Sequence, residues 1–205
     1  NAYNVAMGYE AGNDITTGLQ NTLIGHGAGD GFDTESYNVA VGINAGLLVT
    51  TGVQNTLIGG LAGDALTDAD YNVAVGEEAL SGDTLGSRSV ALGRAALRAQ
   101  NFTTATDAYN IAVGMNAGLS VTTGTQNTLI GGLAGDALDT GTDNVVLGFG
   151  SLGSDTKGDK STAIGRGTLV GQNFTTSTDS YNTALGYFAG NAVTTGVENT
   201  LIGGL

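Results

Sequence analysis

The chain carries a short pattern of polar and apolar positions that ends in glycine and recurs along its whole length. Its first copy is Asn4-Val5-Ala6-Met7-Gly8. We call the final glycine of each copy the rung glycine and number the other positions from it, so that −1 precedes it and +1 follows it. The rung glycines recur at a regular 17-residue spacing that is interrupted by two 21-residue intervals: Gly8, Gly25, Gly42, Gly59, Gly76, Gly93, Gly114, Gly131, Gly148, Gly165, Gly186 and Gly203.

The apolar positions of each copy predict a short β-strand. Position −3 is β-branched in all twelve copies, and position −1 is aliphatic or Met. β-Branched residues at alternate positions favour a strand. Position −2 is Ala, Leu or Val, so both faces of the strand are apolar and we expect neither face to meet water. The rung glycine is expected where a side chain would clash or where φ must be positive.

Strands that carry the same type of residue at equivalent positions can stack as the rungs of a parallel β-solenoid, in which each position forms a column along the axis. Neighbouring rungs then lie ~4.8 Å apart, and twelve of them make a rod of about 55 Å. We therefore predict an all-β fold, a parallel β-solenoid or β-roll of twelve rungs, with residues 1–205 forming a single repetitive unit. The pattern is already under way at Asn4 and still running at Leu205, which predicts a segment of a longer fibrous chain.

The polar column at position −4 has a structural explanation. It is Asn in ten copies, with Ser89 and Ser161 as the exceptions. Stacked Asn side chains can hydrogen-bond to turn backbone groups and to one another from rung to rung. We expect this structural role for the Asn and glycine of each copy, as in the pairs Asn4 and Gly8, Asn38 and Gly42, Asn110 and Gly114, and Asn182 and Gly186.

A longer, 72-residue period is superimposed on the rungs. Residues 37–66 and 109–138 differ at only four positions, and each 21-residue interval holds the same insertion, seen as Gln100-Asn101-Phe102-Thr103-Thr104 in its first copy. The insertions should be loops that bulge from the rod. Phe102 and its counterpart Phe174 are either buried plugs or exposed contacts, and we favour the plug.

Composition limits the classes of function. The chain has 36 glycines, no proline, no cysteine and no tryptophan, and only 12% of its residues are charged. A net charge of −13 opposes binding to nucleic acid or to an anionic membrane. No apolar run approaches the ~20 residues of a membrane-spanning helix. We expect neither a nucleic-acid partner nor membrane insertion.

Catalytic residues are scarce, and we predict that the protein is not an enzyme and carries no cofactor. His26 is the sole histidine, and no cysteine is present, so no set of nucleophile, base and orienting residue can be completed. We expect His26 to lie on the surface. Glu77 and Glu78 are adjacent and would point in different directions, which argues against joint acid–base work.

Two groups of aspartates are weak candidates for a calcium site. They occupy equivalent turns and could collect a hard cation, particularly where chains converge. Aspartate is also common in turns because of its local hydrogen bonding, and the calcium-binding β-roll nonapeptide is absent. The candidates are Asp64, Asp68 and Asp70 in one turn and Asp136, Asp139 and Asp143 in the other.

All six basic residues fall in two windows, 88–98 and 157–166. Across the 72-residue period Arg88 aligns with Lys160, and Arg94 aligns with Arg166, so we predict two basic belts around an acidic rod. One interpretation is salt bridging within or between chains to nearby acids, and the other is binding of an anionic glycan. The acids in question are Glu77, Glu78, Asp155 and Asp159.

The repeats resemble those of two kinds of surface fibre over essentially the whole chain. Asn-Val-Ala-Val-Gly with Ala-Gly shortly after it, as in residues 38–46, resembles the head repeat of trimeric autotransporter adhesins. The longer form, Thr-Thr-Gly-x-Gln-Asn-Thr-Leu-Ile-Gly-Gly-x-Ala-Gly, is similar to repeats of phage tail-fibre and virion proteins. The 17-residue spacing exceeds that of the shortest adhesin-head repeats.

The resemblance implies a homotrimeric, non-enzymatic fibre that projects a binding tip. We expect the shaft of a phage tail or virion fibre on the virion surface, with host receptors or glycans as partners. The alternatives are an autotransporter-type adhesin on a bacterial surface and a subunit of a secreted structural filament.

Overall fold

The computed structural model of the protein describes residues 2–205, which are all β and contain no helix long and apolar enough to span a membrane. Twelve three-residue strands each precede a rung glycine: β1 (Val5–Met7), β2 (Thr22–Ile24), β3 (Val39–Val41), β4 (Thr56–Ile58), β5 (Val73–Val75), β7 (Val90–Leu92), β9 (Ile111–Val113), β10 (Thr128–Ile130), β11 (Val145–Leu147), β13 (Thr162–Ile164), β15 (Thr183–Leu185) and β16 (Thr200–Ile202). Four two-residue strands form two further parallel pairs, β6 (Gly86–Ser87) with β8 (Thr106–Asp107) and β12 (Gly158–Asp159) with β14 (Thr178–Asp179), and β8 and β14 follow the insertions.

The twelve longer strands form one parallel sheet in which each strand pairs with the strand of the next rung. Equivalent positions are partners throughout, as in Thr56 with Val73 and Ile58 with Val75. The 21-residue intervals do not disturb this register, because Val90 still pairs with Ile111. The predicted parallel β-solenoid of twelve rungs is confirmed.

Hydrogen bonds between rungs continue through the turns that follow each strand. In the second rung the backbone N–H of Gly27 donates to Tyr9 O of the preceding rung, at 2.9 Å. The N–H groups of Gly29 and Gly31 donate to Ala45 and Leu47 of the following rung, both at 2.9 Å. Backbone groups therefore find partners along the rod axis around much of each rung, which satisfies them without helices or long strands.

The rung glycines are required for two physical reasons. Their φ angles lie between +129° and +140°, a region that residues with a side chain rarely occupy. A Cβ atom on Gly59 would also lie 2.5 Å from the carbonyl oxygen of Gly76 on the next rung. Both expectations from the sequence, a positive φ and a clash, are confirmed.

The core is one narrow column of side chains enclosed by each turn of the chain. Positions −2, +3 and +7 point inward, and Leu57, Ala62 and Leu66 of the fourth rung are fully buried. Where position −2 carries Leu57, position +4 is Gly63, whose Cβ would lie 2.8 Å from the Leu57 side chain. Where position −2 is Ala74, position +4 is the buried Leu80. In these two rungs a large residue on one side of the core meets a small residue on the other, which fills the space.

The outer face of the main sheet is apolar and partly exposed. Positions −3 and −1 point away from the core, and Val145 and Leu147 of β11 are 42% and 44% exposed. Our expectation that neither face of the strands meets water is wrong for the single chain. The single layer of the solenoid encloses the position −2 side chains, and no second layer of the described chain covers the outer face of the sheet.

The two adjacent glycines of the fourth rung provide a matched test of the solenoid geometry. Gly59→Ala should lower the free energy of unfolding by at least about 2 kcal/mol, because it combines backbone strain with a clash against the next rung. A Cβ on Gly60 meets nothing within 4 Å, so Gly60→Ala should change that free energy by less than about 0.5 kcal/mol. Urea denaturation followed by circular dichroism measures both, and equal effects would contradict the geometry.

Candidate functional site

The column of asparagines forms a hydrogen-bonded ladder inside the rod that is interrupted at Ser89 and Ser161. The backbone N–H of Asn55 donates to Asn38 Oδ1 at 2.8 Å, and Asn55 Oδ1 accepts from the backbone N–H of Asn72 at 2.9 Å. Asn55 Nδ2 donates to the carbonyl oxygen of Ala69 at 2.7 Å. Each Asn side-chain amide therefore bonds both to the next asparagine of the column and to the turn of the next rung. The structural role predicted for Asn is confirmed.

At the insertions a glutamine supplies the hydrogen bond that an asparagine of the column makes elsewhere. Ser89 is too short to reach the next rung, so Asn110 Nδ2 donates to Gln100 Oε1 at 2.8 Å. Gln100 Nε2 donates in turn to Asp83 Oδ2 at 2.6 Å and to Ser89 Oγ at 3.1 Å. The same contacts recur in the next copy of the long period among Asp155, Gln172, Ser161 and Asn182.

The carboxylate of Asp83 is fully buried, and backbone donors surround it. Its Oδ1 accepts from the N–H groups of Gly86 and Phe102, both at 3.1 Å. These bonds tie the insertion to the core, and the Phe102 side chain is only 6% exposed. Phe102 and Phe174 are therefore plugs, as predicted, beneath loops that bulge from the rod.

Sequence reasoning missed these buried polar clusters, although a signal for them exists. Asp83 and Gln100 occupy position +7 on consecutive rungs, as do Asp155 and Gln172. The described rungs that lack these residues carry Ile, Phe, Val or Leu there. A polar pair in an apolar column indicates two side chains that bond to each other, because a buried polar group without a partner is costly.

The aspartates considered for calcium do not converge. Asp70 Oδ1 accepts from the backbone N–H of Val53 at 2.7 Å, and Asp139 Oδ1 accepts from Thr122 Oγ1 at 2.6 Å. Across residues 2–205, no three acidic or histidine side chains lie close enough to share a metal ion. Asp68, Asp136 and Asp143 belong to separate positions of their rungs.

Desolvation affects the carboxyl groups of Glu35, Asp64 and Asp136. Glu35 is 1% exposed, and its Oε1 has no hydrogen-bond partner among the described residues. Desolvation raises the pKa of Glu35 above its ordinary value, although backbone N–H groups oppose the shift. Desolvation likewise raises the pKa values of Asp64 and Asp136.

Arg88 and Lys160 occupy equivalent positions and make equivalent ion pairs. Arg88 Nε lies 2.8 Å from Asp107, and its guanidinium lies over the Tyr71 ring at 4.8 Å. Lys160 Nζ lies 2.7 Å from Asp179 and 5.2 Å from the centre of a tyrosine ring on the next rung. These contacts are exposed to solvent, so each contributes little to stability.

Arg94 and Arg98 also pair with acids of the preceding rung. Arg94 Nε lies 3.1 Å from Glu77, and Arg98 Nη1 lies 3.3 Å from Glu78. Within the described chain Asp155 and Asp159 make none of the expected salt bridges, because both carboxylates accept hydrogen bonds from neutral donors instead. Asp155 belongs to the buried cluster, and Asp159 accepts from the backbone N–H of Thr142 at 2.7 Å.

Arg166 differs from its counterpart Arg94 because aromatic rings replace the acid. Its guanidinium carbon lies 5.7 Å from the ring centres of Phe149 and Tyr187 and 5.4 Å from that of Phe188. Among the described residues no carboxylate lies within 4.0 Å of it. A shallow cleft of about 160 Å³ is lined by Phe149, Gly150, Arg166, Gly167, Val170 and Phe188, and Tyr187 lies beside the arginine outside that lining.

The sole histidine lies on the surface, as predicted, and stacks on an aromatic ring. The rings of His26 and Tyr9 are 5.4 Å apart and inclined by 15°. Their stacking follows from the fold, because both side chains occupy position +1 on consecutive rungs.

The buried polar cluster at the first insertion makes Gln100 a sensitive position. Gln100→Met keeps the volume but removes the buried hydrogen bonds of Gln100 to Asp83 Oδ2 and to Asn110 Nδ2. The free energy of unfolding should therefore fall by about 2–5 kcal/mol. Gln126→Met, at an exposed position, should change it by less than about 0.5 kcal/mol. Chemical denaturation of both variants measures the difference, and a stable Gln100→Met protein would contradict the role of the cluster.

Burial of Glu35 predicts how stability depends on pH. Because its pKa is raised on folding, the folded chain binds this proton more tightly than the unfolded chain, and stability falls as pH rises above 4.5 through the raised value. Glu35→Gln should abolish that loss and stabilise the protein at pH 7, whereas exposed Glu198→Gln should not. Denaturation at a series of pH values between 4 and 8 tests this, and an unchanged profile in Glu35→Gln would refute it.

The chain was compared with protein-family models, with curated proteins and with solved structures, and no match was found. Functional inference therefore rests on the residues and their geometry.

Proposed function

We propose that this chain is the non-catalytic shaft of a phage tail or virion fibre. In this proposal three copies pack along a common axis, and the rod projects a receptor-binding tip and touches host glycans along its side. The observation that carries the proposal is the continuous uncharged outer face of the twelve-stranded sheet, with an aliphatic residue or Met at position −1 and Val, Ile or Thr at position −3 of every rung.

The outer face is well suited to a second and third copy of the same chain. In none of the twelve strands is either outward position charged, although the chain has a net charge of −13. Exposed residues recur on this face along the interior of the rod, as Ile58 at 38%, Ile111 at 39% and Leu185 at 46% illustrate, and the other outward side chains of the interior strands are mostly half-buried. A long uncharged stripe rich in aliphatic side chains is typical of an interaction surface.

The spacing of the stripe favours an identical partner. Side chains on the face repeat with every rung, at ~4.8 Å along the axis. Another copy in parallel offers the same repeat, so contacts made at one rung recur at all twelve. Copies also keep their acidic surfaces apart when they meet through the uncharged face, because like charges repel.

The construction of the rod supports a mechanical role. Each rung is held to the next by backbone hydrogen bonds and, at most rungs, by the buried Asn ladder, and the same arrangement repeats over the described residues. A structure in which each rung contacts only its neighbours is extended by adding rungs. A spacer between an attachment point and a binding tip needs a length that can be extended in this way.

Two other settings use the same construction. An autotransporter-type adhesin on a bacterial surface and a subunit of a secreted filament both need a rigid apolar-faced rod. A membrane anchor elsewhere in the full gene product favours the adhesin, and exchange of terminal strands between subunits favours the filament. Antibody labelling of virions under the electron microscope tests the first setting, because a fibre shaft should be labelled along a rod attached to the particle.

The outer face also predicts the oligomeric state. Sedimentation equilibrium should give a trimer for the unaltered chain, and Leu147→Lys should shift it to monomers, because three lysines would meet on the apolar face without partners. Leu48→Lys replaces another exposed leucine, which lies in a turn outside the sheet and is 51% exposed, and should leave the trimer intact. A monomeric unaltered chain, or equal effects of both variants, would contradict the proposal.

A further inference from the structure

We propose that the cleft beside Arg166 binds the carboxylate of an acidic sugar. The inference rests on the proposed function in one respect, namely that a fibre shaft presents its side to host glycans. It adds the site and the chemical class of ligand, a saccharide that carries a uronic or sialic type of carboxylate.

Three successive rungs build the cleft. Phe149, Arg166 and Tyr187 all occupy position +1, so the ladder of the solenoid places the arginine between two aromatic rings. Phe188 follows at position +2, and its ring meets that of Tyr187 edge to face, with centres 4.6 Å apart. The guanidinium is thus held by its surroundings, and Nη1 also donates to the Tyr187 hydroxyl at 3.1 Å.

No acid in the part of the chain that the structure describes compensates the charge of Arg166. Its counterpart Arg94 lies in the same column, one long period earlier, but rests against Glu77. Aromatic faces attract the guanidinium without neutralising it. Arg166 therefore has N–H donors free to receive a carboxylate, and arginine can bind a carboxylate through two parallel hydrogen bonds.

Two glycines keep the cleft open. Gly150 and Gly167 occupy position +2 on the rungs that carry Phe149 and Arg166, and both line the cleft. A Cβ on Gly167 would lie 2.5 Å from the Phe188 ring, whereas a Cβ on Gly150 meets nothing within 4 Å. The space above Gly150 is therefore free for a ligand.

The lining selects a saccharide among anionic ligands. Phe149 in the lining is 52% exposed, and Tyr187, which contacts Arg166 outside the cleft, is 53% exposed, so aromatic surface is presented to solvent next to the charge. The apolar C–H face of a sugar ring packs on such surfaces, while its carboxylate reaches the arginine. Sites of this kind combine aromatic walls with a few polar groups that fix orientation. A single guanidinium offers less to a densely sulfated chain, which gains most from clustered cations.

Binding of defined polysaccharides to the immobilised protein tests the inference. The probes are polyguluronate and polysialic acid as carboxylated chains, dextran as a neutral chain and dextran sulfate as a sulfated one, measured by biolayer interferometry at physiological salt. At least one carboxylated chain should bind, and Arg166→Gln should weaken that binding at least about tenfold, because a charged hydrogen-bonded contact is lost. Dextran and dextran sulfate should bind more weakly than the carboxylated chain.

Two further variants separate the cleft from general charge effects. Gly150→Leu should also weaken binding by filling the space, and its backbone can adopt the conformation because Leu61 and Leu133 have φ values of +58° and +57° at the same position. Arg94→Gln removes the same charge from a paired arginine and should leave binding within about twofold, since an exposed ion pair contributes little.

Each result decides between the alternatives. The inference is overturned if neither carboxylated chain binds, if Arg94→Gln has the same effect as Arg166→Gln, or if dextran sulfate binds best. It is also overturned if Arg166→Gln or Gly150→Leu dissociates the oligomer, because the cleft would then hold a second copy of the chain. Sedimentation of the same samples tests the trimer independently, so failure of sugar binding is distinguishable from failure of the proposed assembly.

Discussion

The hydrogen-bond spacing between neighbouring rungs is the constraint on which the rest of this structure depends. At ~4.8 Å, backbone approaches backbone so closely that a Cβ on Gly59 would lie 2.5 Å from the carbonyl oxygen of Gly76. Glycine is therefore needed once in every rung at the end of the strand. The same spacing lets each asparagine reach the next rung with both ends of its amide, so one short side chain fastens the core column and the turn together.

The insertions show what happens when the spacing is kept but the chain is longer. The strands on either side remain in register, and the four additional residues leave the rod as a loop. A buried cluster around Asp83 and Gln100 replaces the missing link of the Asn ladder and fastens the loop through Phe102. Ser89 and Ser161, the two exceptions in the asparagine column, therefore occur where an insertion supplies the replacing hydrogen bonds.

A core one rung thick has consequences for the surface. Because a single layer encloses only its inward side chains, the outward positions of the strands stay partly exposed, and an apolar stripe follows the rod. Surface side chains are also organised into columns, so a residue gains neighbours from the equivalent positions of adjacent rungs. This arrangement gives Arg94 an acid and Arg166 aromatic rings, and it makes two residues that are equivalent in sequence different in chemistry.

The spacing of residue types was sufficient to predict the solenoid, the register of its rungs and the roles of the rung glycines and asparagines, whereas the burial of Phe102 was one of two alternatives. These features follow from spacing, because identical columns can stack in only one register. The tertiary structure decided which acid meets which base, since Asp155 turned inward to Gln172 while Asp107 turned outward to Arg88. It also decided that strand positions −3 and −1 face outward and that Arg166 meets aromatic rings where Arg94 meets an acid. Such contacts depend on side-chain direction around a closed rung, which a linear pattern of residue types does not contain.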